Sequence, residues 1–269
     1  MNINEIVIKW FKKLELPDEL EELTYKSLEK INLKNVPEYS QYQHSEESNE
    51  KRCIYHLIFC EELSNRYREK GIPEEILMDT LLDLKNSILS YYDKYKTIGI
   101  DKDGEEWLKN HFSFNLFRLG RLQFCMYGMY EDVPEKNIKK GDSVMDVHIP
   151  KGESIKPEIV DASFRESKEF FSKYFPEYSF RYYTCFSWTL DDTLADFLEE
   201  NSNIRKFRHR FEVVHKREQD SALHFIFKMG IKNREELNSC EAKTEFAKKL
   251  KEYALSGGKL YNVLGIMVN

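Results

Sequence analysis

The chain has 269 residues, of which 41% are hydrophobic and 33% charged, and its formal net charge is −6. This length fits one or two domains, and 18 Phe and 16 Tyr residues supply apolar volume for a substantial core. The negative charge argues against a general nucleic-acid binder, whose surface is basic.

Several other classes of protein or site are disfavoured by simple patterns. No apolar run approaches the ~20 residues that span a bilayer, and the N-terminus lacks the features of a signal peptide, so we expect no membrane association. The seven His residues show no HExxH or similar spacing, so no metal site is expected. The five Cys residues contain no CxxC pair, which favours reduced thiols in a cytoplasmic protein.

The first part of the chain has the period of amphipathic helices. One helix is predicted over about Asp18–Ile31, and apolar residues then recur at spacings of three and four from Cys53 to Tyr67. Gly71 offers a C-terminal cap, and Pro73 suits the first turn of a further helix that is predicted to continue to Tyr95.

Two pairs of side chains in this part could suggest a functional site, but packing in the core explains their spacing. Cys53 and Cys60 lie two turns apart on the apolar face, where free Cys behaves as a small hydrophobic residue. Trp107 and His111 are four positions apart and are expected to pack on one helix face.

From about Asn115 the pattern changes to alternating strands and helices. Strands are predicted for LFRLGRLQFCM as one half-buried strand, for VMDVHI, for FRYYTCFSWTL, for EVVH and for the final LYNVLGIMV. The fold class is therefore α+β, with a helical domain over residues 1–114 and a mixed-sheet α/β domain over residues 115–269.

The strand VMDVHI carries an unusual polar pair. Asp146 and His148 project from the same face because side chains alternate along a strand. A neutral His can take a proton from a substrate amine or hydroxyl, whereas a hydrogen-bonded structural His explains the same pattern without chemistry.

A turn follows this strand and leads into a helix. Residues 150–154 contain a single glycine, and their spacing matches neither a nucleotide P-loop nor a dinucleotide fingerprint. Amides at a helix N-terminus can nevertheless hold an anion such as a pyrophosphate. Basic residues from Arg205 to Arg217 form either a solvated face or a second contact for phosphate groups.

Several of these segments, taken in order, resemble a bacterial acyltransferase family. The resemblance rests on FRLGRLQF, on VHIP with its glycine-bearing turn, on FFSKYFP, on CFSW and on SNI–x–x–F–x–x–RF. It spans about Gly71 to Val268 and is densest between Phe117 and Phe211. It implies a helical N-terminal domain, a GNAT-like C-terminal domain and an acyl-CoA co-substrate.

The resemblance also implies roles for particular residues. VMDVHI would align the pantetheine arm, the neighbouring strand FRYYTCFSWTL would splay away to admit the thioester, and the turn would hold the pyrophosphate. The implied CoA-binding residues are Ile149, Lys151, Gly152, Glu153 and Ser154. The turn departs from the usual Arg/Gln-x-x-Gly-x-Gly/Ala pattern, because it has one glycine and begins with Pro150, which donates no hydrogen bond.

The favoured interpretation is a cytoplasmic acyl-CoA:amine N-acyltransferase that acts on a small-molecule acceptor by direct attack on the thioester. His148 is the predicted base, Asp146 sets its tautomer or charge, and Ser187, Trp188 and Asn203 are candidates for shaping the acyl and acceptor pocket.

Two alternatives remain at this point. One is a non-catalytic protein that keeps the fold and binds a ligand or partner, and the other is a thiol hydrolase that uses Cys185 with His148. The sequence does not determine the acyl length, the acceptor, the oligomeric state or the role of the N-terminal domain.

Overall fold

A computed structural model describes residues 2–42, 47–152, 154–227 and 233–269. The chain divides into two compact units. The first contains residues 1–119 together with 170–175, and the second contains residues 120–169 and 176–269.

The first unit is built from helices and ends with a short strand. Its helices and strand are α1 Ile3–Lys13, α2 Glu19–Lys30, α3 Asn49–Lys70, α4 Glu74–Thr80, α5 Leu82–Tyr95, α6 Lys102–Phe112 and β1 Leu116–Leu119. The predicted helix over Asp18–Ile31 corresponds to α2. Gly71 closes α3 in the left-handed conformation, with φ of 71°, as the sequence predicted for this cap.

The helix predicted to run unbroken to Tyr95 is instead two helices, α4 and α5, which meet at Leu81. The hydroxyl of Thr80 donates to the carbonyl of Ile76 at 2.7 Å and accepts the N–H of Arg118 at 3.0 Å. A Thr that bonds back to the preceding turn bends a helix. The apolar period continues through such a bend, so the sequence pattern did not reveal it.

The core of the first unit contains both cysteines that the sequence assigned to it. Cys53 and Cys60 are fully buried on α3. Beside them α3 also buries Arg52, whose guanidinium pairs with Glu105 of α6 at 2.9 Å. A buried charge of this kind needs its partner, so this pair fixes α6 against α3.

The second unit is a mixed sheet with helices. Its strands and helices are β2 Leu122–Gly128, β3 Ser143–His148, α7 Pro157–Tyr174, β4 Tyr182–Ser187, α8 Asp192–Ala195, α9 Asn203–Arg208, β5 Glu212–Glu218, α10 Ser221–Phe227, α11 Glu245–Leu255 and β6 Tyr261–Val268; the last turn of α7 groups with the first unit. Within this unit the described strands lie in the order β2–β3–β4–β6–β5. β3 and β4 are parallel, and the other neighbouring pairs are antiparallel.

Each face of this sheet is covered by a different part of the second unit. On one face Phe164 of α7 packs edge-to-face on Phe124 and Tyr183, with ring centroids 5.6 and 5.0 Å apart. On the other face, side chains from the segment after β2 join strand residues in a separate cluster that includes Met129, Val133, Ile138, Val144, Tyr182, Leu264 and Ile266. The middle of the sheet is thus covered on both faces, whereas most residues of the edge strand β5 are exposed.

The stretch LFRLGRLQFCM is two strands, β1 and β2, rather than the single half-buried strand that its alternation suggested. Gly120 lies between them with φ of 61°, a conformation that other residues rarely adopt. The polar positions are also buried, since Arg121 is 8% and Gln123 0% exposed. Because both faces are covered, alternation in the sequence did not mean exposure to water.

Candidate active site

The parallel pair of strands in the middle of the sheet, β3 and β4, has a short register. The register of β3 with β4 contains two residue pairs, Met145 with Tyr183 and Asp146 with Thr184. The remaining residues of β4, from Cys185 to Ser187, pair with β6 on the other side. The β3–β4 register does not extend past Asp146 and Thr184, and we call the region between the two strands beyond these residues the gap.

Asp146 and His148 lie on one face of β3, beside this gap, as the alternation predicted. The Nε2 atom of His148 is 3.1 Å from Oδ2 of Asp146, and the two side chains are 25% and 17% exposed. The hydroxyl of Thr184 donates to Oδ1 of the same carboxylate at 2.7 Å. Both oxygens of Asp146 are thus engaged, which fixes the carboxylate and the ring that it faces.

This arrangement also assigns the imidazole atoms. An ionised Asp146 accepts a hydrogen bond, so the proton of a neutral His148 ring belongs on Nε2. The lone pair is then on Nδ1, and that nitrogen is the atom able to accept a proton. The pair has the geometry of a base with its orienting carboxylate.

The turn after β3 is held by side chains from elsewhere in the second unit. The amide of Asn203, at the start of α9, donates to the Ser154 hydroxyl at 2.7 Å. Gly152 has a φ of 152°, in the region that favours glycine. Four of the residues predicted to bind CoA lie in or beside this turn: Ile149, Lys151, Gly152 and Ser154. The fifth, Glu153, lies outside the described residues.

The three residues predicted to shape a substrate pocket are dispersed. Asn203 lies at the turn, as described, and Ser187 projects from the sheet face opposite to His148, where its hydroxyl accepts the N–H and O–H of Thr189 at 3.2 and 3.0 Å. Trp188 stacks near Phe225 and Phe246, with centroids 6.4 and 6.3 Å apart. Their assignment to an acyl or acceptor pocket stays a prediction.

Most of the basic run near α9 is engaged within the second unit. Arg208 and Arg210 form ion pairs with Asp192 and Asp161, and Lys216 lies 3.6 Å from Asp192. The Arg205 guanidinium donates to two backbone carbonyls. These contacts favour a structural role for this run over the phosphate contact that was its alternative.

The cysteine required by the hydrolase alternative is unsuited to nucleophilic chemistry. Cys185 is buried on the face opposite to His148, and burial together with the nearby Asp146 charge raises the pKa of its thiol well above the ordinary value. Burial and Asp146 likewise raise the pKa of Cys125 to about 12. Neither thiol provides a thiolate near neutral pH.

Two structural features are absent from the described residues: a metal-binding cluster and a membrane-spanning helix. No group of three or more His, Cys, Asp or Glu side chains in them is arranged to hold a metal ion. In the same residues, no helix has the length and apolar character needed to cross a bilayer.

Two protein-family models together match almost the whole chain. The model described as "GNAT-like C-terminal domain" matches residues 116–267, which is more than half of the chain. This chain belongs to that family. The model described as "N-acyltransferase N-terminal domain" matches residues 3–114, so the N-terminal helices also belong to a recognised domain.

Solved structures with the same fold are acyltransferases. One in complex with decanoyl-CoA and teicoplanin has a TM-score of 0.74 at 20% identity, covering 97% of this chain and 87% of that one. Another, a mutant in complex with octanoyl-CoA, has a TM-score of 0.75 at 19% identity, with coverages of 98% and 88%. At such identities the likeness establishes the fold, and no relative was found among curated proteins.

Within this GNAT-like domain, two residues of the site escaped the sequence analysis. Thr184 was noted only as a strand residue, although it orients Asp146, and Arg121 was noted only for its alternation. Both act through partners at least 29 positions away in sequence. For Thr184 the available signal was a polar residue on an otherwise apolar strand, and for Arg121 it was a charged residue between two apolar strand segments.

Proposed function

We propose that this protein is an acyl-CoA-dependent acyltransferase that transfers the acyl group to an amine by direct attack on the thioester. The observation that carries the proposal is the gap between the parallel strands β3 and β4, with the Asp146–His148 pair at its edge. A thioester lying in the gap would place its carbonyl beside backbone amides of these two strands and within reach of the imidazole.

The family and the similar structures support the choice of co-substrate. The N-terminal domain is of the N-acyltransferase type, and structures with this fold have been solved with octanoyl-CoA and decanoyl-CoA. One of those proteins was solved with teicoplanin as well, which supports a small-molecule acceptor. An amine as the accepting group is our proposal.

The residues of the site have separate roles in this reaction. His148 takes a proton on Nδ1 from the ammonium group, directly or through water, and Asp146 stabilises the imidazolium that results. The amine nitrogen then bonds to the thioester carbon while backbone amides at the gap donate to the carbonyl oxygen. As the C–S bond breaks and the carbonyl re-forms, the attacking nitrogen gives its second proton to the departing sulfur, directly or through water. CoA therefore leaves as a thiol, and a neutral amide remains.

The phosphate end of the co-substrate is assigned to the turn and to the start of α7. Amides that precede a helix N-terminus suit a pyrophosphate, and the conformation of Gly152 allows close approach of the backbone. Pro150 removes one donor from this set. We therefore expect the remaining amides from Lys151 to Ser154 to make the contact.

The test combines binding with turnover. Purified protein is titrated with acetyl-CoA, octanoyl-CoA and decanoyl-CoA in a thermal-shift assay, and thiol release is followed with a panel of amines. A ligand at 100 times its dissociation constant stabilises the folded state by about 2.7 kcal/mol, so binding should raise Tm measurably. The absence of a shift at millimolar concentration with all three thioesters would refute the proposal.

A non-catalytic protein that binds a ligand is the second candidate, and the proline at the start of the turn favours it. Binding of CoA thioesters by titration calorimetry, without thiol release over the whole amine panel, would support this candidate. Amine-dependent release of CoA would exclude it.

A further inference from the structure

A buried arginine lies against the turn that follows β3. Arg121, immediately before β2, is only 8% exposed, although a guanidinium is normally solvated. Its Nη1 atom donates to the carbonyl oxygen of Pro150 at 2.8 Å. A buried guanidinium needs hydrogen-bond acceptors, and the Pro150 carbonyl is one of those that hold Arg121 in place.

The backbone of Arg121 is also tied to the helix that the turn feeds. Its N–H donates to the Ser163 hydroxyl on α7 at 2.8 Å. Gly120 before it packs so closely that a Cβ atom there would lie 2.9 Å from the same hydroxyl. Arg121 is therefore fixed to α7 through its backbone and to Pro150 through its side chain.

The first residue of the turn explains why such a contact is useful. Pro150 has no N–H, so the turn starts with an acceptor and without a donor. A guanidinium on that carbonyl holds the orientation of the peptide that follows, and the N–H of that peptide belongs to Lys151.

We infer that Arg121 is a positioning residue for the phosphate groups of CoA: it holds the Pro150 carbonyl and thereby orients the N–H of Lys151 toward the bound phosphates. The inference rests on the proposed function, because it concerns the same CoA-binding turn. It assigns no contact between Arg121 and the reacting atoms.

The experiment compares a ligand that has phosphates with one that lacks them. CoA and pantetheine are titrated by calorimetry into the wild type and into the Arg121→Gln and Arg121→Lys variants. Arg121→Gln should weaken CoA binding about tenfold and leave pantetheine binding unchanged, since a lost charge-assisted hydrogen bond has about this effect. Arg121→Lys should recover part of the affinity, because it keeps the charge without the forked donors.

A matched control is Arg234, which is also bonded internally, through Asp220 and the Ala254 carbonyl, and lies outside the site. Arg234→Gln should lower Tm without changing the ratio of CoA to pantetheine affinity. An unchanged ratio in folded Arg121→Gln, or equal losses for both ligands, would overturn the inference.

Two further outcomes are distinguishable. If Arg121→Gln does not fold, Arg121→Lys decides, and an unchanged affinity ratio in that variant overturns the inference. If the wild type binds no CoA, the proposed function and this inference fail together, whereas wild-type binding with unaltered variants refutes the role of Arg121 alone.

Discussion

At the scale of single residues, the arrangement around Asp146 separates orienting groups from the reacting one. Thr184 and His148 engage opposite oxygens of the carboxylate, at 2.7 and 3.1 Å. Any rotation of the carboxylate would therefore break one of these two contacts. The reacting atom in this scheme is Nδ1 of His148.

Replacing His148 with Asn should lower kcat about 10²–10⁴-fold, because Asn fills similar space but cannot act as a base. The dissociation constant for acyl-CoA should hardly change. Steady-state kinetics per folded molecule, with circular dichroism to measure the folded fraction, makes this comparison.

The exposed His209 supplies the matched control, since His209→Asn should leave kcat unaltered. Wild-type turnover by folded His148→Asn would make His148 a structural residue of β3. The Asp146 contact would then serve stability alone.

A second prediction at this scale concerns the thiols. Because burial raises the pKa of Cys185 far above neutrality, iodoacetamide at pH 8 should not modify it in the native protein. Cys240 is partly exposed and should be labelled first. Transfer activity should survive the labelling, as measured by mass spectrometry and thiol release on one sample.

Rapid labelling of Cys185 with parallel loss of activity would revive the thiol hydrolase. Cys185→Ala serves as the control, since it removes the sulfur and should retain turnover. The two measurements together separate reactivity from simple unfolding.

At the scale of elements, the turn after β3 is the segment with the most specific backbone requirement. A side chain at residue 152 would be strained at φ of 152° and would also crowd a ligand above the backbone. Gly152→Val should therefore weaken CoA binding about tenfold, equivalent to ~1.4 kcal/mol, while the protein remains folded. Calorimetric titration gives this value directly.

Gly71→Ala tests strain alone, because Gly71 has φ of 71° with open space around it and lies at the end of α3. It should reduce Tm and leave CoA affinity unchanged. Should Gly152→Val bind CoA normally, the phosphates would have to lie elsewhere, and the basic run from Arg205 would be examined next.

The contact between α1 and α3 gives a prediction for stability. Burial raises the pKa of the Glu61 carboxyl, but hydrogen bonds from Lys9 at 2.6 Å and Trp10 at 2.8 Å outweigh this, so the pKa is lowered from its ordinary 4.5. Ionised Glu61 therefore stabilises the fold above about pH 4.5, and this contribution is lost as the pH falls through the lowered value.

Glu61→Gln should cost about 1 kcal/mol of unfolding free energy at pH 7 and progressively less toward pH 3. Urea unfolding of both proteins at several pH values measures the difference. Glu69→Gln, at an exposed site of the same helix, should have no effect at any pH. A difference that does not shrink in acid would contradict the assignment.

At the scale of the whole molecule, the two compact units are not separated at a single position in the sequence. Residues 170–175 group with the first unit, where Phe170 and Phe175 pack on Phe117 with ring centroids 4.9 and 5.1 Å apart. Phe114 also contacts Phe175, at 5.7 Å. The predicted division into domains of residues 1–114 and 115–269 therefore stays a prediction.

We therefore expect a fragment of residues 115–269 to be less stable than the full chain and prone to aggregate, since it lacks Phe114 and the helices that precede it. Size-exclusion chromatography and thermal unfolding of the fragment and the full chain measure this. A monomeric fragment with the unfolding temperature of the full chain would show that the two parts fold independently.

Local periodicity determined a large part of this protein from sequence alone. A period near 3.6 predicted α2 and α3, glycine at position 71 predicted the end of α3, and a period of two placed Asp146 and His148 on one face of β3. These features depend on neighbours within a few positions, so one segment is enough to specify them. The resemblance of several ordered segments then implied the family, which the family match confirmed.

Long-range packing decided the remainder. The contacts of Asp146 with Thr184, of Arg121 with Pro150 and of Asn203 with Ser154 join residues 38, 29 and 49 positions apart. Strand order and register bring these partners together, and both are set by which faces become buried. For the same reason the alternation around Gln123 misled: covering both faces of the sheet buries polar positions that the sequence alone would leave in water.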